Sequence, residues 1–320
     1  MNILTRTFEQ KHIARKVYEC FIQSYKPALK TIQWLLTLMI PISLGVKLLE
    51  FAGVLLILAE YTAPLVKMLG LRGEAALVLL SGGFLNIYSA IAVIETISFS
   101  AREICIMALM TLIAHNLIIE SAVQRKTGST AWWMVTLRIA TAIVAAIFLN
   151  MVLPGDSVVH QAKAEVVATH TFSETMLSWA IDTFWLVVKI IIIIYALNFL
   201  QRILDEFSIT LWLSRLMSPL LRLFGLPAQA SFMWLIANVI GLAWGSSVLI
   251  EQTEKGKITK KQADILNHHI AISHSLLEDT LLFAAIGVPV IWITFPRLFL
   301  AFVVVWIYRL FFIKHNSQHS

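Results

Sequence analysis

Charged residues are scarce in this sequence. Asp, Glu, Lys and Arg together make up 14% of its 320 residues, whereas they make up about 25% of a typical soluble domain. Hydrophobic residues make up 58%, and the mean hydropathy is +0.80. This composition excludes an ordinary soluble domain and predicts an integral membrane protein.

Cysteine, period-two patterns and a nucleotide-binding loop are also lacking. The two cysteines, Cys20 and Cys105, are too few for a disulfide framework. The apolar segments do not alternate as the strands of a membrane barrel do, so they predict an all-α, polytopic helical bundle. No G-x-x-x-x-G-K-[ST] motif occurs, which excludes a complete GTP-driven iron transporter.

Eight apolar runs approach the length of about 20 residues that a membrane-spanning helix needs. These runs are 31–49, 75–97, 103–124, 131–153, 183–203, 229–250, 264–286 and 288–312. Two shorter runs, 51–69 and 206–223, carry charged residues and could be oblique spans or interfacial helices.

The first 30 residues are basic around a modest apolar stripe. No signal-peptide core follows them, so we expect a cytoplasmic amphipathic helix that leads into the first span, with a frayed basic tail as the alternative. The net charge of +6 is then explained by residues that anchor the chain at the membrane surface. It requires no nucleic-acid partner.

The chain contains an internal repeat. The stretch APLVKMLGL at 63–71 matches SPLLRLFGL at 218–226. Further matches follow in the same order: Glu95 with Glu251, His115 with His274, Glu120 with Asp279, Ser121 with Thr280, and Arg138 with Arg297. An ordered series of this kind indicates that the two halves arose by duplication.

Basic residues predict how the two halves are oriented, because lysine and arginine accumulate in cytoplasmic loops. The basic loop at 254–261, Arg125 and Lys126 should be cytoplasmic, and the linker should be outside. Each half then crosses the membrane an odd number of times, so the two repeats have inverted topology. The predicted divisions are an N-terminal helix at 1–30, a first transmembrane repeat at 31–153, an extracytoplasmic linker at 154–175, a second repeat at 176–313 and a cytoplasmic tail at 314–320.

Glycine and polar residues interrupt an apolar run at matching places in the two halves. The interrupted segments are LSGGFLNIYS at 80–89 and IANVIGLAWGSS at 236–247. They predict broken or re-entrant helices, whose free backbone groups bind solutes in transporters built from inverted repeats. Close packing of glycine-containing helices is the alternative.

Both halves also carry the same costly polar pattern, HNLIIES at 115–121 and HSLLEDT at 274–280. A charge near the bilayer centre costs at least about 2.5–3.5 kcal/mol, so it should be paired or functional. The candidate solute-binding residues are Asn86, Glu95, His115, Asn116, Glu120, Ser121, Glu251, His274, Ser275, Glu278, Asp279 and Thr280. The candidate charge partners are Arg138, Arg297 and Lys189.

Two other interpretations of this pattern remain open. The arginines could form buried ion pairs with Glu120 and Asp279 that only fix the helix register. A metal ion could instead be held by His115, Glu120, His274 and Asp279, because imidazole and carboxylate groups are competent ligands for Fe²⁺, Mn²⁺ or Zn²⁺.

The duplicated core, the broken helices and the HNLIIES and HSLLEDT pair resemble the Gate, or nucleoside-recognition, domain family over most of residues 31–312. That family includes the spore maturation proteins A and B, the membrane part of the ferrous-iron transporter B and relatives of concentrative nucleoside transporters. The resemblance implies an inverted-repeat transport or gating domain in a bacterial inner membrane. It does not imply that nucleosides are the substrate.

These features favour secondary transport of a small polar solute, nucleoside-like or amino-acid-like, coupled to H⁺ or Na⁺ at a midplane site between the repeats. The alternatives are a transition-metal permease and a gating or scaffold membrane protein that does not transport. An enzyme is not expected, because a duplicated site suits alternating access better than a one-sided reaction. We expect no cofactor beyond a coupling ion, partners limited to solute, membrane lipid and further copies of the chain, and cytoplasmic N- and C-termini.

Overall fold

The computed structural model describes residues 3–154, 171–227, 230–239, 241 and 249–313, and within these ranges it contains helices and no strand. The predicted cytoplasmic tail and most of the predicted linker lie outside the described residues. The helices are α1 (Ile3–Phe51), α2 (Val54–Val66), α3 (Ala75–Phe84), α4 (Ile87–Thr96), α5 (Ala101–Ala114), α6 (Leu117–Lys126), α7 (Ala131–Val152), α8 (Phe172–Glu206), α9 (Ile209–Leu223), α10 (Ser231–Val239), α11 (Lys260–Ser273), α12 (Glu278–Ala285) and α13 (Val290–Tyr308).

Five stretches of the described chain are long and apolar enough to cross a membrane: His12–Phe51, Ala101–Lys126, Ala131–Val152, Phe172–Glu206 and Val290–Phe311. The prediction of an all-α, polytopic membrane protein is therefore confirmed. Three of the eight apolar runs are divided between two short helices each; a break was predicted in the first of these runs and not in the other two. These pairs are α3 with α4, α5 with α6, and α11 with α12.

The first helix, α1, continues without a break through the predicted boundary at residue 30. It packs along α8, where the ring of Phe21 makes edge contacts with Tyr195 at 5.2 Å and with Phe199 at 5.6 Å between centroids. Residues 1–30 therefore do not form a separate surface helix. Ala28 and Ile32, on either side of residue 30, both belong to the buried apolar core that includes Ile190 and Ile194 of α8.

The two short apolar runs form α2 and α9, which have 13 and 15 residues. At 1.5 Å per residue they measure about 20 and 23 Å, less than the roughly 30 Å of a bilayer core. Each helix leads to the glycine of the repeated motif, and Gly70 and Gly225 have φ angles of 74° and 77°. Glycine adopts this left-handed conformation without steric cost, so the chain turns in the same way in both halves.

The most deeply buried span is Ala101–Lys126, which contains α5 and α6. In the first half α5 packs on α7, and in the second half α11 packs on α13. The two pairs also contact each other, since α5 and α7 both touch α11 and α13. The repeated polar residues lie where these four helices meet.

Candidate functional site

The site begins where α5 and α11 end, because each of these helices stops at a repeated histidine. His115 follows α5 and His274 follows α11, and the next residues, Asn116 and Ser275, have left-handed φ angles of 46° and 52°. The backbone N–H of Asn116 donates to the carbonyl of Gly82 at 2.9 Å, and that of Ser275 donates to Ala237 at 2.9 Å. Tertiary hydrogen bonds thus replace the helical ones at both breaks.

These breaks divide each polar pattern between two helices. Asn116 is separated from Glu120 by the start of α6, and its side chain makes no capping hydrogen bond there. His274 and Ser275 likewise precede α12, on which Glu278 and Asp279 lie. The histidines are placed by the last turn of one helix, and the carboxylates by the first turn of the next.

A buried arginine holds each break. Arg138 on α7 donates from Nε to the carbonyl of Ile113 at 2.8 Å and from Nη2 to that of His115 at 2.7 Å. Arg297 on α13 makes the equivalent bonds, from Nε to Ile272 at 3.1 Å and from Nη2 to His274. The last carbonyls of a helix lack helical partners and attract cations, so each guanidinium caps the helix that ends at the histidine.

Both histidine rings are oriented by the same contact. Nδ1 of His115 lies 2.9 Å from the carbonyl of Thr111, and Nδ1 of His274 lies 2.8 Å from that of Ile270. A carbonyl can only accept, so Nδ1 carries the proton in each neutral ring and Nε2 presents a lone pair. The two Nε2 atoms face each other across the two halves at 3.3 Å.

Two carboxylates complete the cluster. Glu120 places one oxygen 3.1 Å from Nε2 of His115 and the other 3.1 Å from Nε2 of His274. An oxygen of Asp279 lies 3.5 Å from Nε2 of His115. All four side chains are buried. We call His115, Glu120, His274 and Asp279 the paired-histidine cluster; each half contributes one histidine and one acid.

The two arginines differ in their ion pairs. Arg138 contacts the carboxylate of Glu120 at 2.7 Å, which confirms one of the two expected pairs. Within the described chain Arg297 makes no ion pair, so the expectation of a second pair with Asp279 is wrong. The aspartate side chain is one methylene shorter than glutamate, and here it is directed toward His115.

Other candidate residues lie beside the cluster in different roles. The hydroxyls of Ser121 and Thr280, each next to a cluster carboxylate in sequence, are buried and have no hydrogen-bond partner among the described residues. Glu278 accepts a hydrogen bond from the hydroxyl of Tyr88 at 2.9 Å, which links α12 to α4. Asn86 uses its side-chain oxygen to cap α4, at 2.9 Å from the N–H of Ser89.

Three candidate residues are not brought to the cluster. Glu95 lies at the end of α4 and lines a separate cavity of about 20 Å³ with residues of α1 and α8. Its repeat partner Glu251 is exposed, and a hydrogen bond from Lys255 holds the pKa of that carboxyl below its usual range. Lys189 is exposed on α8 and forms no ion pair within the described ranges.

A second polar layer, whose residues were not among the predicted candidates, also joins the halves. Asn267 on α11 donates from Nδ2 to the hydroxyls of Thr127 and Ser129 at 2.9 Å each. The next residue, His268, accepts a hydrogen bond from the indole N–H of Trp133 at 2.9 Å. Tyr88 was not among the predicted site residues either. The one feature of the sequence that pointed to it was its place in the glycine-interrupted segment at 80–89. Asn267 and His268 have no counterpart in the first half, so the matching pairs of the repeat gave no signal for them.

This fold and its buried polar cluster define a polytopic α-helical membrane protein. The chain is similar to the uncharacterized membrane protein YvoD of Bacillus subtilis (strain 168), with 32% identity over 255 residues, which cover 78% of this chain and 81% of that protein. It therefore belongs to the YvoD family of membrane proteins. No family model and no solved structure matches the chain. The resemblance to the Gate domain family stays a prediction.

Proposed function

We propose that the protein is a secondary transporter and that the paired-histidine cluster is its central site. The observation that carries this proposal is that equivalent residues from two matching halves meet in one buried cluster, at the breaks of equivalent helices. A central site between inverted repeats can open to either side of a membrane as one repeat rocks against the other. The inverted orientation predicted from the basic residues is part of this proposal.

The nitrogen and oxygen atoms that the cluster offers to a cation favour H⁺ over Na⁺ as the coupling ion. Glu120 contacts both imidazole rings at 3.1 Å, and Asp279 lies 3.5 Å from that of His115. Imidazole accepts a proton near neutral pH, whereas hard cations prefer sites made of oxygen atoms. A proton bound between a ring and a carboxylate would relieve the repulsion among these acceptors and would leave again when the site opens.

Proton flux into proteoliposomes tests this proposal. The purified protein is reconstituted with a pH-sensitive dye inside the vesicles, and nucleosides, nucleobases, amino acids and divalent metal ions are added in turn. We expect at least one of them to drive proton movement in the wild type. Glu120→Gln should abolish that movement, because the amide cannot take up a proton at this site.

The matched control is His268→Gln, which changes a buried histidine of the second polar layer and leaves the cluster intact. It should keep most of the solute-driven flux. No flux for any solute in the wild type, or equal flux in the wild type and Glu120→Gln, would overturn the proposal in favour of a gating or scaffold protein with a structural polar core.

A further inference from the structure

We infer that the paired-histidine cluster is a four-ligand site for a divalent transition-metal ion, and that this ion is a transported substrate. The binding part of the inference rests on geometry alone, and the transport part rests on the proposed function. The ligand atoms would be Nε2 of His115, Nε2 of His274 and a carboxylate oxygen of Asp279, which lie within 4.8 Å of one another. An oxygen of Glu120, which contacts both rings, would be the fourth.

Four of the distances among these side chains are close to the edges of a metal-centred tetrahedron. Nitrogen and oxygen ligands lie about 2.0–2.1 Å from Zn²⁺, which places neighbouring ligands about 3.3–3.4 Å apart in tetrahedral geometry. The observed separations are 3.3 Å between the two Nε2 atoms, 3.1 Å from His115 to one oxygen of Glu120, 3.1 Å from His274 to its other oxygen and 3.5 Å from His115 to Asp279. The ligand atoms of His115, His274 and Asp279 all lie within 4.8 Å of one another, so a single ion would draw the carboxylate of Asp279 closer to His274.

The surrounding hydrogen bonds prepare both rings for a metal ion. Histidine ligands generally donate their second ring N–H to a carbonyl or a carboxylate, which sets the tautomer and aims the free nitrogen at the ion. His115 and His274 both make this contact, with Thr111 and Ile270. Without a cation, two lone pairs face each other while a buried oxygen of Asp279 accepts no hydrogen bond from the described residues. A cation bound among these acceptors would relieve the repulsion between them.

The type of donor atom restricts the class of ion. Mg²⁺ and Ca²⁺ select oxygen ligands, and Cu⁺ selects sulfur, so a mixed set of imidazole and carboxylate groups favours Zn²⁺, Fe²⁺, Mn²⁺ or Co²⁺. Arg138 contacts the carboxylate of Glu120 and Arg297 caps the helix that ends at His274, so two positive charges lie near the cluster. These charges weaken metal binding compared with a site that has no cation nearby, and weaker binding suits an ion that must be released.

Cobalt binding to the purified full-length protein in detergent tests the site, because tetrahedral Co²⁺ absorbs visible light far more strongly than octahedral Co²⁺. We expect one Co²⁺ per chain with a tetrahedral spectrum that added Zn²⁺ removes. His115→Gln, His274→Gln and Asp279→Asn should each weaken binding at least tenfold. The controls are His268→Gln and His12→Gln, which alter a buried histidine outside the cluster and an exposed one.

Two results would overturn the site. One is a wild-type spectrum of octahedral Co²⁺ alone; this result needs no variant and so does not depend on whether the variants fold. The other is a loss of binding in His268→Gln as large as in His274→Gln, with both proteins monodisperse. Metal binding without metal flux into proteoliposomes would overturn transport of the ion and keep the site. Flux of an organic solute by a protein that binds no Co²⁺ would keep the proposed transporter and overturn the metal site.

Discussion

The two buried arginines each have a role in addition to the one predicted from the sequence. Arg138 and Arg297 are expected as charge partners, and in the structure each also caps the helix that ends at a histidine. Only Arg138 contacts a carboxylate, because Glu120 reaches it and the shorter Asp279 turns to His115. Repeated residue pairs therefore mark equivalent positions in the two halves, but the two members of a pair need not contribute equally to stability.

The difference between the arginines predicts unequal effects on stability. Arg138→Gln leaves Glu120 buried without its partner and should lower the free energy of unfolding by about 3–5 kcal/mol. Arg297→Gln removes bonds to two carbonyls but breaks no ion pair, and a loss of about 1.5–3 kcal/mol is expected. Unfolding by SDS in mixed micelles measures both. The double variant Glu120→Gln/Arg138→Gln should recover part of the loss, and a larger loss for Arg297→Gln than for Arg138→Gln would contradict this account.

At the scale of elements, the helix breaks decide where the polar groups lie. The sequence predicts a break at 80–89, and the structure has one between α3 and α4. Most of the matching segment at 236–247 lies outside the described residues. The breaks after α5 and α11 were not predicted, because HNLIIES and HSLLEDT contain neither glycine nor proline and each lies in an apolar run long enough for one helix.

The left-handed residues at the two unpredicted breaks give a test at this scale. Side chains other than glycine cost about 1–2 kcal/mol in this conformation, and less for asparagine. Ser275→Gly should therefore leave stability unchanged or raise it by up to about 1 kcal/mol, whereas Ser275→Val should lower it by about 1–2 kcal/mol. Melting temperatures in detergent compare the variants.

Glycine should have the opposite effect inside a helix. Ala284→Gly in α12 is the matched control and should lower stability by about 1 kcal/mol. If Ser275→Gly destabilises the protein as much as this control does, the break after α11 is not the conformation of the folded protein.

At the scale of the whole molecule, the repeat and the helical class could be predicted, and so could the meeting of the polar patterns. The matched order of His115 with His274 and of Glu120 with Asp279 is enough to expect that equivalent positions face each other across the halves. Their tight cluster could not be predicted, because it depends on hydrogen bonds from Asn116 to Gly82 and from Ser275 to Ala237. Such contacts join residues far apart in the chain and leave no local pattern.

The predicted inverted orientation has a direct test with a membrane-impermeant thiol reagent. The native cysteines, Cys20 and Cys105, are buried, so the wild type should react little. Gln161→Cys in the predicted external linker should be labelled in intact cells. Glu254→Cys in the second half and Arg125→Cys in the first should be labelled only after the membrane is opened. Labelling of Gln161→Cys and Glu254→Cys from the same side would show that the halves are not inverted.

The hydrogen bonds from the two arginines to backbone carbonyls also link pairs of helices mechanically. Arg138 attaches the end of α5 to α7, and Arg297 attaches the end of α11 to α13. A tilt of α7 or α13 that kept these bonds would move the attached histidine backbone with it and change the 3.3 Å distance between the two Nε2 atoms. Each arginine thus couples the position of an outer helix to that of a histidine at the centre of the protein.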